Sequence, residues 1–169
     1  MKDASLEVLR VDYNDARHAA ALVQLLDTYA QDPAGGGQGL SAYAREHVVA
    51  GLRARPQAFS VLALQVPKDR NAWAAVGLIN CIEGFSTFAA RPLVNVHDVV
   101  VRADQRGKGV ARAMFALVET LARERGACKL TLEVLSSNHP AMALYKDIGF
   151  APYQLDPAMG QALFLQRLL

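Results

Sequence analysis

Apolar and polar positions run along this chain in two rhythms, and the switches between them mark its elements. Short apolar or alternating runs rich in β-branched residues predict strands at Leu6–Val11, Ala58–Val66, Trp73–Phe85, Val94–Arg102, Ala127–Leu135, Phe150–Gln154 and Gln161–Arg167. Helical spacing, clearest at Val110, Met114, Leu117, Val118 and Leu121, predicts helices over Asp15–Tyr29, Ser41–Arg53, Lys108–Arg125 and Pro140–Asp147. Ser41 is the expected cap of the second helix. Residues 67–71 read as a hairpin connection, and residues 32–39, with glycines at 35, 36 and 37, as a loop that can be a flexible connection. Antiparallel hairpins with helices between them predict a mixed α/β sheet, and 169 residues suit a single domain over 1–169.

Between the third of the longer strands and the third helix lies Gln105-Arg106-Gly107-Lys108-Gly109-Val110-Ala111. A strand, a glycine-rich turn and a helix in that order let backbone approach a ligand closely, and the first N–H groups of the helix have no partner within it. Those donors and the positive end of the helix dipole suit phosphate oxygens. Arg106 and Lys108 add two positive charges, so a phosphorylated cofactor is the first inference. A nucleoside-triphosphate loop is excluded, because no pair of glycines five apart is followed by Lys and Ser or Thr. The dinucleotide fingerprint fits poorly: Gly107 and Gly109 fill two positions and Glu133 stands near the ribose-binding acid, but Arg112 is too bulky for the third. The remaining pattern is Arg or Gln, two residues, Gly, one residue, then Gly or Ala; Arg106, Gly109 and Ala111 fill it.

A second signature follows downstream in Asn138-His-Pro-Ala141-Met-Ala-Leu144-Tyr145, with Gly149-Phe150 after it. Asn138 can cap a helix, Pro140 is tolerated in its first turn, and Gly149 can close it. Asn138, Ala141 and Tyr145, spaced i, i+3, i+7, share a face with a polar end, a small middle and a phenol, which suits a narrow thioester arm. With both motifs in this order, the chain from about residue 58 resembles the GCN5-related N-acetyltransferases, the GNAT family. The resemblance implies a central twisted, largely antiparallel sheet of about seven strands flanked by about four helices. It also implies direct transfer of acetyl from acetyl-coenzyme A to a primary amine. Arg106, Gly107, Lys108, Gly109, Val110 and Ala111 would hold the cofactor's phosphates, with Asn138 and Tyr145 along its arm. An N–H of Val99, Val100 or Val101 would polarise the thioester carbonyl, and a local bulge there would free it from pairing.

The implied chemistry needs a base and an acid. An alkylamine with a pKa near 10.4 is only about one part in a thousand neutral at pH 7, a cost of roughly 4 kcal/mol that a positioned base eases. His97 and Asp98 precede the triple valine, and alternation sends them to opposite faces. Measured back from the glycine turn, His97 falls where several small-amine members carry a glutamate, and imidazole is matched to proton transfer near neutral pH. Asp98, Glu83 or a water chain are the other candidate bases. Tyr145 occupies the position that protonates the leaving thiolate in many members, so the resemblance implies it as general acid. Glu83, Phe85, Ser86 and Thr87 are expected to line the acceptor site, with Tyr29 and Asp27 as further pocket candidates. Read without the resemblance, the Phe85 segment is a hydrophobic hairpin tip or a dimer contact.

Composition narrows the setting. A net charge of +2 argues for no nucleic-acid partner, and the local cluster of Arg102, Arg106, Lys108 and Arg112 suits a polyanionic cofactor. Cys81 and Cys128 both fall in predicted strands and read as free, buried thiols of a reducing compartment. Without a bilayer-length apolar run or an N-terminal hydrophobic block, a cytoplasmic protein with no membrane partner is expected. No histidine spacing marks a metal site. The expected acceptor is a small-molecule amine: an amino acid, a derivative of one, or a polyamine. Protein N-termini or lysines are the alternative, and a non-catalytic acyl-coenzyme A sensor is the second. Few acidic side chains stand where a polycation would need them, which favours a singly charged acceptor. Dimers are frequent in the family, so the resemblance admits a homodimer.

Overall fold

The structure, a computed structural model, describes residues 4–153 and 164–167. Its elements are β1 (Ala4–Arg10), α1 (Ala16–Gln31), α2 (Ala42–Arg53), β2 (Ala58–Pro67), β3 (Ala74–Ser86), β4 (Arg91–Val101), α3 (Val110–Glu124), β5 (Leu130–Leu132) and α4 (His139–Asp147). Short 3-10 turns occupy Pro33–Gly35 and Ala103–Gln105. The chain divides into two compact units, Met1–Leu135 and Ser136–Leu169.

The first unit holds one sheet in the order β1-β2-β3-β4-β5. The pairs from β1 to β4 are antiparallel and β4 with β5 is parallel, so the expected mixed, largely antiparallel sheet is present. It has five strands among the described residues, not seven. Residues 150–153 form no strand, and Pro152 there has no N–H to give a ladder. Residues 164–167 are not a strand either; Phe164 and Leu165 are exposed, so their apolar character buries nothing. The rest of those two expected strands, Gln154 and residues 161–163, lies outside the described residues. β5 is much shorter than the expected Ala127–Leu135, and Cys128 sits in a bend before it, exposed rather than buried. Pairing of β3 with β4 also runs past Pro92, which opposes Phe85. Pro92 belongs to the set 92, 94, 96 that faces β5, where its carbonyl accepts from Cys128 N–H, so its missing N–H costs nothing on the β3 side.

Two apolar layers sandwich the sheet. Leu62, Leu64, Leu78 and Val100 face Ala21, Leu22, Leu25 and Leu26 of α1, with Val48, Val49 and Leu52 of α2 packed against that cluster. Fully burying a leucine such as Leu22 contributes about 1.5–3 kcal/mol. α3 covers the other face: a Cβ at Gly77 would lie 2.7 Å from Met114 Cε and 3.1 Å from Val110 Cγ1. Asp15 caps α1 by accepting from Arg17 and His18 N–H, and Ser41 caps α2 as expected, accepting from Ala44 N–H. The glycine run after α1 is a built turn rather than a slack connection. Gly35 and Gly37 N–H both donate to Asp32 O, and Gly36 and Gly37 take positive φ.

In the second unit α4 follows the sequence signature. Asn138 Oδ1 accepts from Ala141 N–H at 3.3 Å, Pro140 lies in the first turn, and Gly149 ends the helix at φ +95°. The Tyr145 ring tilts against Phe150, with centroids 5.9 Å apart.

Candidate functional site

The site in the first unit starts from one extra residue. Cys81 pairs with Val96 and the preceding residue of β3, Asn80, pairs with Asp98, leaving His97 as a bulge in β4. Pairing with β5 ends at the rung just before it, Val96 with Leu132. Beyond Val96 no strand among the described residues pairs with that edge of β4. Arg102 N–H donates to Val76 O across β3. Counting back in twos, Val100 turns its N–H to β3, while Val99 and Val101 turn theirs to the open edge. Val101 O at that edge accepts from Arg106 Nε at 3.2 Å, and Val99 N–H, nearer the point where β5 ends, is a donor suited to a ligand there.

The bulge also corrects the expectation that His97 and Asp98 point to opposite faces. Asn95 opposes Ile82 and Asp98 opposes Asn80; Ile82 and Asn80, two apart, share a face, so Asn95 and Asp98 do too. His97 Nδ1 contacts Asn95 Oδ1 at 3.3 Å, which puts it on that same face. Strict alternation fails because two residues of β4 answer one of β3. This is the face that α1 covers. Tyr29 at the end of α1 joins it: burial holds its phenol above the ordinary value, and the charges of Asp98 and Asp32 push the same way. Asp98 Oδ2 accepts from Asn80 Nδ2 at 2.9 Å.

The glycine turn follows at the end of β4. Gly107 and Gly109 are left-handed, at φ +73° and +81°, and a Cβ on either would meet nothing within 4 Å. α3 begins at Val110, not at Lys108, and Gly109 gives it no side-chain cap. The result is an open cradle at a helix N-terminus, bordered by two cations and Ala111, which fits a phosphate-bearing cofactor. Arg106 Nη2 pairs with Asp32 at 3.1 Å, and Lys108 Nζ donates to Asp104 O at 2.8 Å. Gln105, buried, accepts from Gln65 Nε2 and Lys108 and donates to Asp104, tying the turn to β2. The donation by Gln105 is the main reason the Asp104 carboxyl sits below its usual range, with Arg102 helping.

Other expected residues lie elsewhere. Glu83 pairs with Arg125 at 2.9 Å, on the α3 side of the sheet where the Arg125 guanidinium also stacks over Phe59. It is not brought to the face of His97 and Asp98. Phe85, Ser86 and Thr87 sit at the β3–β4 hairpin, where Ser86 opposes Arg91. Seven residues of strand rise separate Arg91 from Asp98, about 20 Å. Phe85 is exposed there, and Ser86 Oγ accepts from Ala89 N–H. Asp27 is structural: Leu40 N–H, the strongest influence lowering its carboxyl, and Arg45 and Gln31 all donate to it. The residues that sequence reasoning missed are Tyr13, Ser60, Asn80 and Gln105. The one available signal was a polar residue inside an apolar strand, as at Ser60 and Asn80. No group of His, Cys, Asp or Glu among the described residues is arranged to hold a metal ion.

Comparisons place this geometry among known proteins. Streptothricin acetyltransferase of Streptomyces lavendulae is 36% identical over 96 residues, covering 55% of this chain and 51% of that protein. The matches span about half the length, or less, of the curated relatives. A probable acetyltransferase of known structure superposes with a TM-score of 0.77 at 20% identity, over 96% of this chain and 98% of its own. The aminoglycoside N-acetyltransferase AAC(6')-Iy, in complex with a bisubstrate analogue of coenzyme A and acetylneamine, gives 0.76 at 13% identity over 98% and 99%. At those identities the two structures show the fold alone. Residues 7–150 match the model of the acetyltransferase (GNAT) family, and with most of its length matched, this chain belongs to that family.

Proposed function

We propose that this chain is an N-acetyltransferase that moves the acetyl group of acetyl-coenzyme A directly to a primary amine of a small molecule. One observation carries the reading: β4 loses its β5 partner at Val96, bulges at His97, turns Val99 N–H to the opened edge, and runs into the uncapped glycine cradle. Acetyl-coenzyme A would supply an acetyl group activated as a thioester. Arg106, Lys108 and the first N–H groups of α3, with Gly107, Gly109, Val110 and Ala111 as backbone, hold its phosphates. Val99 N–H donates to the carbonyl oxygen, a fixed dipole that stabilises negative charge as it develops. Asp98 attracts the acceptor's ammonium group, Tyr29 borders it, and His97 takes the proton the amine must lose. Asn138 and Tyr145 are assigned from their motif positions, Tyr145 holding a proton at Oη for the departing sulfur. Glu83, engaged by Arg125, is given no part.

The small-molecule acceptor rests on the relatives' names, which include a streptothricin and an aminoglycoside acetyltransferase. We read residues 1–169 as one acetyltransferase domain. No helix among the described residues is long and apolar enough to cross a membrane, and both cysteines are free, in keeping with a reducing cytoplasm. Calorimetric titration with acetyl-coenzyme A, followed by thiol release over a panel of amino acids, polyamines, aminoglycosides and peptides, tests the reading. Saturable binding with release on small amines is expected. Tyr145→Phe is expected to lower kcat by about two orders of magnitude while binding acetyl-coenzyme A normally. Absence of binding would refute the cofactor assignment, and release on peptides alone would move the acceptor to protein.

A further inference from the structure

Ser60, Asn80 and Asp98 stand directly opposite one another on β2, β3 and β4, and Tyr13 reaches the first of them from the turn after β1. Tyr13 Oη lies 2.8 Å from Ser60 Oγ, Ser60 Oγ 2.6 Å from Asn80 Oδ1, and Asn80 Nδ2 2.9 Å from Asp98 Oδ2. Ser60 is fully buried and Asn80 is 3% exposed, in a layer otherwise filled by Leu62, Leu64, Leu78 and Val100. Buried hydrogen bonds of this kind net little stability against an apolar row of the same shape, so packing alone does not explain them.

The protons in this row all run one way. Ser60 has a single hydroxyl proton, and it goes to Asn80 Oδ1, which can only accept. Ser60 Oγ must therefore receive from Tyr13, whose phenol burial keeps above its ordinary value and so protonated. With its oxygen bound to Ser60, the Asn80 amide presents Nδ2 to Asp98; reversed, it would set a carbonyl oxygen against the carboxylate. A carboxamide is no proton carrier, so the row does not conduct. It orients.

We propose that Tyr13, Ser60 and Asn80 are positioning residues that fix the Asp98 carboxylate in the one orientation that receives the acceptor's ammonium group. This rests on the reading above, in which Asp98 faces the acceptor. The row makes a cationic primary amine the class of substrate selected, and it makes acceptor affinity depend on a tyrosine three strands away.

Tyr13→Phe, Ser60→Ala and Asp98→Asn, alone and combined, test it by thiol release from acetyl-coenzyme A with the amine that turns over fastest in the panel. Tyr13→Phe and Ser60→Ala are expected to raise the amine KM about tenfold, equivalent to about 1.4 kcal/mol. Their kcat and acetyl-coenzyme A affinity stay near wild type, a split that loosened packing would not produce. In the Asp98→Asn background, adding Tyr13→Phe should change nothing, because the end of the row is already gone. An equal effect of Tyr13→Phe in both backgrounds overturns the proposal. Should Asp98→Asn raise KM while Tyr13→Phe does not, the row alone is refuted; should Asp98→Asn leave KM unchanged, the site reading falls with it. Tyr13→Phe is isosteric at a half-buried position, so it serves where Ser60→Ala fails to fold. A readout that needs no acceptor is the Asp98 carboxyl carbon resonance in aspartate-labelled protein. Tyr13→Phe should move it, and an unmoved resonance overturns the proposal.

Discussion

Gly109→Ala separates two roles of the glycine turn, backbone conformation and ligand approach. Gly109 sits at φ +81° and ψ 1°, left-handed, and a Cβ there meets nothing within 4 Å. With no clash to add, the cost to the free protein is the left-handed penalty of an L-residue, about 1–2 kcal/mol. For a chain of this size each kcal/mol moves Tm by about 2–4 °C, so a fall of about 2–8 °C is expected. The second effect appears only with ligand. At a coenzyme A concentration of about 100 times the wild-type Kd, binding stabilises the protein by about 2.7 kcal/mol. A methyl group in the cradle should weaken binding at least tenfold, which leaves about 1.4 kcal/mol at that concentration. The ligand-induced rise in Tm should therefore fall to about half. Thermal melts with and without coenzyme A, checked by calorimetry, measure both effects. A lowered Tm with an undiminished ligand shift would refute close approach of phosphate to Gly109; an unchanged Tm would refute the strain argument itself.

Three further outcomes follow from the same reasoning. Gly35→Ala puts a Cβ 2.0 Å from the carbonyl oxygen of Tyr29, backbone that cannot swing aside, so a loss at or above the usual overpacking range of about 1–3 kcal/mol is expected in urea unfolding; a loss well below it would mean that the α1–α2 turn is placed otherwise. Glu83→Gln breaks the half-buried pair with Arg125 and should cost about 1–2 kcal/mol of stability with turnover preserved; lost turnover in a stable variant would return Glu83 to the chemistry. Burial pushes the Cys81 thiol up to about 12, whereas Cys128 is exposed, so a disulfide reagent at pH 8 should modify one thiol in the native protein and two after unfolding. An unfolded thiol titrates near 9. The Cys81 contribution to stability is thus complete below about pH 9 and declines as pH rises from about 9 to about 12. A variant such as Cys81→Ala with the same alkaline decline would refute that assignment.

Local signals were readable wherever a residue acts on its own neighbours. Ser41 and Asn138 cap, Gly149 terminates, and Gly107 and Gly109 turn left, because each need is satisfied within a few residues. Features that depend on a distant partner were not readable. The bulge at His97 exists only relative to the count on β3, and alternation within β4 alone puts His97 and Asp98 apart. Glu83 looked available until Arg125, 42 positions on, claimed its carboxylate. Asp27 looked like a pocket residue because its donors, Leu40 and Arg45, come from beyond the next turn. That Pro92 is tolerated within the ladder likewise depends on sheet order, which sets the side on which its nitrogen falls. The polar row was half visible: Ser60 and Asn80 interrupt apolar strands, but only the register sets them side by side.

The bulge in β4 has a consequence for how insertions and deletions behave. A strand reads its sequence by parity, odd positions to one side and even to the other, and losing one residue normally inverts everything downstream. His97 is the exception in β4. Remove it, and Val96 still meets Cys81 while Asp98 still meets Asn80, so no side chain changes sides. Removal of a residue between the hairpin and Val96 would instead carry Val96 into the wrong layer. Position 97 is thus the place in β4 where the chain can lose a residue without changing the layer that Val96 or Asp98 enters.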